Sequence, residues 1–583
     1  MDPLVILLIG VIAVIGMIIV LRVNAFIALI TAAILVSLLS PGDLSEKVPR
    51  VATAFGSVVG GIGIVIALAA VIGRCLMDSG AADRIVRSFL KALGEKRAST
   101  ALMASGFVLS IPVFFDTVFY LLVPLARSLW RRTHKNYVLY LTAIVAGAGI
   151  THTLVPPTPG PLFMANRFNV DLGIMIGMGI LVGLPTAALG LLVCKLINRF
   201  TDIPMRPYAG EPEAKPMDDS QLPSLWISLL PVILPVILIS ANTVSKTLAD
   251  AEHAARLGAG DVQNWSAFNA GLAGRTGEEP SAATRLMQLL PDDVQKSIRD
   301  GVTTGSFGAQ SQAQVVAALN DLLADSGLHQ TDVFVNLTLP DEAEKLLAKG
   351  LGRASPAEIE HFNRLLLEEV FAEQIKSHVW NTPKRKASTV AAVLGNPNLA
   401  LLLSAAIAMY VLVRNRGLSL KELSKKMDTA LMSGGIIILI TAGGGAFGAM
   451  LRAAGIQDTV KGFIEGGGQD LGLAILLLAF AVSSVIKFAQ GSGTVAMITT
   501  ASMFAAMGIS EEILGCNLVY LAMAIGSGSL VGDWMNNSGF WIFARMGGLT
   551  EIETLKSWTI LTAAMGIIGL GFTLFFAYLM PMA

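Results

Sequence analysis

Several ionisable and amide side chains of this chain fall where its apolar sequence is interrupted. Asp116 and Thr117 end the run Ile111-Pro-Val-Phe-Phe-Asp-Thr117. His152, Thr153, Thr158 and Gly160 belong to Ile150-Thr-His-Thr-Leu-Val-Pro-Pro-Thr-Pro-Gly-Pro161, where prolines 156, 157, 159 and 161 remove four backbone donors and forbid continuous helix. Lys487 precedes Gln490-Gly-Ser-Gly-Thr494. Asp533 precedes Asn536-Asn-Ser538 within 526–540, a stretch too rich in small and amide residues for a lipid-facing helix. Non-helical backbone at membrane depth has to be buried in protein or line a wet cavity, because lipid cannot satisfy the freed carbonyls.

The same cost governs charge. An ionisable group inside a membrane needs a partner or a cavity. Asp116 reads as a proton carrier or cation ligand, or as the cap of a helix that begins there. His152 titrates in the range that a proton-coupled step uses, and it also suits donation to a substrate or the holding of its loop. Lys487 either attracts an anion or pairs with a carboxylate such as Asp533. Gly491, Ser492, Gly493 and Thr494, with Gln490 beside them, stand where a half-helix would begin, and free backbone donors there favour a carboxylate. Gly443-Gly-Gly445 reads instead as close helix packing.

Composition supplies the setting. Of 583 residues, 54% are hydrophobic and 14% charged, and the mean hydropathy of +0.66 is that of an integral membrane protein. Basic and acidic residues balance at 42 each, which gives no argument for nucleic acid. Cys75, Cys194 and Cys516 are too scattered for a disulfide framework or a metal site. The first apolar run lacks a basic n-region and is expected to remain as a helix. Spans are expected near 3–22, 24–40, 52–78, 99–130, 137–150 and 171–197, then near 225–244, 396–414, 430–451, 471–508, 514–528 and 555–580.

The two sets resemble one another. Gly73 to Asp83 aligns without gaps on Gly448 to Asp458, matching Gly80 with Gly455, and Gly160-Pro-Leu-Phe-Met-Ala165 lies on Gly539-Phe-Trp-Ile-Phe-Ala544. Basic residues flank 99–130 on both sides, from Arg84 to Arg97 and from Arg127 to Lys135, so a hairpin that enters and leaves the cytoplasmic face fits better than one crossing. Its tip falls at 111–117. Counting outward puts a second hairpin, with its tip near 488–494, on the opposite face, and the halves come out inverted. The expected layout is a first membrane repeat over 1–200, a cytoplasmic linker over 201–223, the start of a second repeat over 224–245, and its remainder over 388–583. Between these, 246–387 reads as a soluble, mostly helical extracytoplasmic insertion containing a capping box at Ser355-Pro-Ala-Glu358. Its histidines 253, 329, 361 and 378 lack metal-ligand spacing and read as solvated or capping.

Ile111 to Phe119, His152 to Pro161, Ala489 to Met497 and Asn536-Asn-Ser-Gly-Phe-Trp541 give the chain a resemblance to the gluconate permease (gluconate:proton symporter) family of the ion-transporter superfamily. The resemblance covers both membrane halves. It implies proton-coupled uptake of sugar acids and related hydroxy acids, with two inverted repeats whose tips meet at a central site, on a scaffold that often dimerises. It also marks two departures, a glutamate in many members where Asp116 stands here and the absence of the large insertion.

The expectation is thus an all-α polytopic membrane protein with two inverted repeats, each carrying a re-entrant hairpin and a broken helix. It lies in a bacterial inner membrane as a homodimer, with both termini and the insertion outside. Its partners are a small organic anion and the bilayer, with no nucleic acid. No cofactor is expected beyond a coupling proton, or sodium in the alternative. Thr117, His152, Thr153, Thr158, Gly160, Gln490, Gly491, Ser492, Gly493, Thr494, Asn536, Asn537 and Ser538 form the expected substrate site, with Asp116, His152 and Asp533 as proton-coupling candidates and Lys487 as a charge partner. A sensor that uses the insertion is a further alternative. An intramembrane enzyme is disfavoured, because no nucleophile–base pair or metal motif falls at plausible membrane depth.

Overall fold

The computed structural model describes residues 2–582 except 20, 22, 113–114, 202, 207–217, 275–280, 305–306, 326, 335–336, 338, 350, 352–353, 456–470 and 536. Among these the chain is helical, with a single isolated antiparallel bridge between Val262 and Ile375. It divides into two compact units, Met1–Ser240 with Leu394–Ala583, and Ala241–Val393.

The first unit holds the membrane helices. Among the described residues eight helical stretches are long and apolar enough to cross: Leu44–Ser79, Tyr137–Arg167, Leu172–Phe200, Leu225–Asp250, Pro397–Arg416, Leu420–Ala453, Leu471–Phe488 and Glu551–Leu579. Their ends follow local rules. Asp171 accepts from the amides of Gly173 and Ile174, at 2.8 and 3.1 Å, to start Leu172–Phe200, and Ser419 forms a reciprocal capping box with Glu422 to start Leu420–Ala453. The aligned glycines Gly80 and Gly455 have φ of +80° and +82°, a left-handed conformation that only glycine adopts freely, and each closes a long helix.

Interruptions occur where proline and glycine demand them. The apolar stretch expected over 99–130 divides into Ala98–Leu109 and Phe115–Thr133, and that over 471–508 into Leu471–Gln490 and Gly493–Ala506. The helix from Tyr137 stops at Leu154. Val155 is extended (φ −112°, ψ 118°), as a residue before proline must be, and a short helix Pro159–Arg167 resumes after Thr158. A second short pair, Leu518–Gly528 and Ser538–Gly547, flanks the amide-rich stretch. Tyr137–Leu154 lies buried along nearly its whole length. Its small residues make that possible. A Cβ placed on Gly147 would come 1.9 Å from the Met103 carbonyl oxygen, so Ala98–Leu109 packs backbone against backbone there.

The linker expected over 201–223 lies partly outside the described residues. Its described end is tied down, with Arg84 donating to the carbonyls of Pro223 (2.7 Å) and Asp219 (2.9 Å), and Arg87 pairing with the Asp219 carboxylate.

The second unit is a small helical body built from Trp265–Ala273, Ala282–Gln288, Asp292–Thr304, Ala309–Leu323, Asp341–Lys349 and Pro356–Val370, with Phe268, Leu272, Ile298, Leu319 and Phe371 in its core. The capping box at Ser355 forms, with the Ser355 amide donating to Glu358 at 2.8 Å. His361 and His378 depart from the reading of the histidines as solvated or capping, while His253 is exposed as that reading expects. His361 is 1% exposed, and its Nδ1 lies 2.7 Å from His378 Nε2, whose Nδ1 in turn lies 2.9 Å from Glu368 Oε1. The His361 ring stacks at 4.0 Å on Trp380, an indole that Arg385 approaches to 3.9 Å. Histidines 17 residues apart in sequence give no spacing signal, because the fold alone brings them together.

Burial, together with the charges of His378 and Arg385, pushes the His361 pKa from 6.5 down to about 3, against an opposing pull from Glu368. Burial raises Glu368, but hydrogen bonds from His378 and Arg364 outweigh it and hold that carboxyl below its usual range. The signs agree. Unfolded His361 takes up a proton that the folded form refuses, so its contribution to stability is lost as pH falls from 6.5 towards 3. Glu368 adds a further loss below its unfolded pKa of 4.5. In the full-length protein, amide exchange of peptides from 356–386, corrected for intrinsic rates, should speed up on acidification from pH 7 to 4. His361→Phe should flatten that dependence, and an unchanged slope in this variant would contradict the assignment.

Candidate functional site

The polar interruptions of the first unit converge. Leu471–Gln490 turns at Gly491, whose φ of +86° needs glycine and whose amide donates to the Lys487 carbonyl at 2.8 Å. Ser492 then caps Gly493–Ala506 by accepting from the Val495 amide at 3.3 Å. The Lys487 ammonium, 3% exposed, folds back on this turn and donates to the Gly491 carbonyl at 2.5 Å. It also lies 3.0 Å from Asp533 Oδ2, whose side chain is 5% exposed. Asp533 Oδ1 accepts from Asn537 Nδ2 at 2.7 Å, and Asn537 Oδ1 caps Ser538–Gly547 by accepting from the Gly539 amide at 3.1 Å. One file of bonds therefore runs from the 491 turn through Lys487, Asp533 and Asn537 to the next helix start. Trp534 reinforces it, its indole N–H donating to the Phe488 carbonyl at 3.0 Å and its ring stacking on Phe488 at 5.5 Å.

The proline-rich interruption joins from the other half. A Cβ on Gly526 would come 2.7 Å from the Thr153 carbonyl oxygen, and one on Gly160 would come 2.2 Å from Met497 Cε. The segment 153–160 is thereby held against both Leu518–Gly528 and Gly493–Ala506. His152 sits in the last turn of its helix, where the Lys487 ammonium acts on the ring electrostatically. Phe115 and Phe119, on the helix that carries Asp116 and Thr117, meet Trp558 at 5.3 Å and Phe543 at 5.4 Å, so this helix runs beside Ser538–Gly547.

The expected site residues differ in how they are placed. Lys487, Asp533, Asn537, Gly491 and Ser492 are bonded together, while Gly493 adjoins the Ser529 carbonyl and Lys487 Nζ. Thr153 and Thr158 are near but occupied. The Thr153 hydroxyl donates to its own helix at Ile150 and Gly149 (3.1 and 3.3 Å), and that of Thr158 to the Val155 carbonyl at 2.6 Å, so in this conformation they offer a ligand acceptors and not donors. Thr494 lies part-buried at the start of Gly493–Ala506. Asn536 and the side chains of Asp116, Thr117, Gln490 and Ser538 lie outside the described residues. Three buried hydroxyls, on Thr499, Thr500 and Ser527, have no hydrogen-bond partner and were not among the expected residues. Hydroxyls repeated inside the apolar helix after Gly493 were the available signal for Thr499 and Thr500, and Ser527 falls in the small-residue stretch 526–540. Among the described residues no group of three or more His, Cys, Asp or Glu could hold a metal ion.

Broken helices that carry a buried ion pair, a glycine-rich helix start and unpartnered hydroxyls inside a multi-pass unit define a membrane carrier rather than an enzyme. The chain belongs to the GntP permease family, whose model matches residues 2–262 and 370–579. It is 27% identical to a gluconate permease of Pseudomonas aeruginosa over 97% of this chain and 96% of that one, and 25% identical to the inner membrane permease YgbN of Escherichia coli over 96% and 95%. Among solved structures it is similar to the YdaH transporter of Alcanivorax borkumensis, at 11% identity and a TM-score of 0.48, over 96% of this chain and 98% of that one.

Breaking a buried ion pair from one side leaves a bare charge and costs about 3–5 kcal/mol, whereas replacing both partners by apolar groups is far cheaper. Lys487→Met and Asp533→Leu should each lower the unfolding temperature of purified protein sharply, and the double variant should regain most of the loss; additive losses would show that the two are not coupled. Gly526→Ala should cost about 1–3 kcal/mol by overpacking against Thr153. Gly177→Ala, with nothing within 4 Å of the new Cβ, should be neutral or mildly stabilising in the same assay.

Proposed function

We propose that this chain is a proton-coupled symporter of the bacterial inner membrane that carries gluconate-like sugar acids by alternating access. The observation that carries the reading is the buried Lys487–Asp533 pair, which joins two interruptions beside a glycine-rich helix start. The gluconate permease of Pseudomonas aeruginosa and the inner membrane permease of Escherichia coli support the substrate class and the location.

The coupling follows from charge balance. Lys487 is held by Asp533 while the site is empty. An arriving carboxylate competes for the same ammonium, and displacing Asp533 would leave an uncompensated buried anion unless a proton neutralises it. Substrate and proton therefore bind together, with His152 and Asp116 as the other candidates to relay or hold the proton. Amides at the start of Gly493–Ala506 complete the carboxylate site. Thr499, Thr500 and Ser527, whose hydroxyls lack partners, take the substrate hydroxyls. The two halves act as inverted repeats, a reading supported by the left-handed glycines 80 and 455 at matched positions. Both termini and the insertion lie outside, and two copies pair through the scaffold.

In proteoliposomes, uptake of labelled gluconate should follow an imposed inward proton gradient, collapse with an uncoupler and persist when sodium is replaced by choline. Uptake that requires sodium and ignores the proton gradient would overturn the coupling.

A further inference from the structure

Arg167 ends the short helix Pro159–Arg167, nine residues and so about 13 Å beyond Thr158 along a helical rise. Its Nε and Nη2 are inaccessible to solvent and have no hydrogen-bond partner. The guanidinium is pressed against Leu420–Ala453, where a Cβ on Gly448 would lie 2.9 Å from Nη2 and 2.6 Å from Ser502 Cβ. Ser502 offers no compensating charge, and its hydroxyl donates to the Gly444 carbonyl at 2.9 Å. The charge that does act on Arg167 is another cation, Arg452, one turn along the same helix. Among the described residues no carboxylate bonds to Arg167 Nε or Nη2.

A guanidinium with buried and unmatched donors, set against a helix that carries a second arginine one turn on, is costly as a purely structural device, because buried charges are ordinarily paired. The missing partner is an anion. Nε–H and the adjacent Nη2–H are the two parallel donors with which arginine grips a carboxylate side-on. Arg167 also shares its short helix with Gly160, which packs on Met497 beside the candidate site.

We propose that Arg167 and Arg452 form a receiving station for the carboxylate of the transported anion, separate from Lys487. Arg452, exposed at the end of its helix, draws the anion in, and Arg167 swings outward to hold it before it passes to the interruptions. The inference rests on the reading of the chain as a carrier of sugar-acid anions.

The test is uptake of labelled gluconate into proteoliposomes by the full-length wild type, Arg167→Gln, Arg167→Lys and Arg452→Gln, over a range of substrate and salt concentrations. Loss of a bidentate charge-assisted contact should raise KM about tenfold or more in Arg167→Gln with kcat changed far less, and Arg167→Lys should fall between it and wild type. Arg452→Gln should raise KM by a smaller factor and flatten its salt dependence. A wild-type KM in Arg167→Gln overturns the station while leaving the carrier intact. Should Arg167→Gln not fold, Arg452→Gln decides, and an unchanged KM and salt dependence overturns the proposal. Variants that lose thermal stability only in vesicles containing anionic lipid, with KM unchanged, assign the pair to a headgroup phosphate and also overturn it. A wild type that takes up no gluconate removes the carrier reading itself, and the station with it.

Discussion

The contact between Lys487 and Asp533 is the point on which the rest of the first unit depends. Two opposite charges buried in an apolar body recover their desolvation cost only if their geometry is held and their remaining valences are filled. Here both conditions are met by groups from the interruptions themselves, the Gly491 carbonyl on one side and the Asn537 amide on the other. Each of those groups exists because a helix stops. Gly491 is free to bend back on Lys487 because it lies outside regular helix, and Asn537 is placed by its own capping of Ser538–Gly547. The pair thus makes two breaks in the fold mutually dependent, as expected of a site that must hold its shape when empty and give way to a ligand.

Bringing the breaks together is the work of small residues. Tyr137–Leu154 could not be buried so completely if bulky side chains kept Ala98–Leu109 at ordinary helix spacing, and Gly526 lets the other half approach the Thr153 carbonyl. Prolines decide where helices stop, and glycines decide how closely the stopped ends meet. Neither role survives exchange, since an alanine at Gly526 would strike backbone and a proline moved one turn would break a different set of bonds.

These roles were unequally legible in the sequence. The apolar spans, the four-proline run, the capping box at Ser355 and the option of a Lys487–Asp533 pair all follow from local pattern and the cost of burying charge. What local pattern cannot express is competition for a hydrogen bond. Thr153 and Thr158 look like donors to a ligand, yet each satisfies a carbonyl three residues back in its own chain. The converse holds for Thr499, Thr500 and Ser527, which pass for ordinary residues of small-residue helices and are left without partners only once their neighbours are in place. His361 and His378 were misread for the same reason, being joined by a fold that their separation does not announce. The insertion that contains them lies largely outside the family's matched residues, which leave out 263–369.

The central claim is that one anion site lies between the interruptions and is gated by Lys487. The most direct measurement is the structure of the full-length protein with gluconate bound. The account predicts the substrate carboxylate within hydrogen-bond distance of Lys487 Nζ and of the amides that begin Gly493–Ala506, with Asp533 turned away from the ammonium. Gluconate bound elsewhere, with the Lys487–Asp533 contact still closed at its present 3.0 Å, would contradict it.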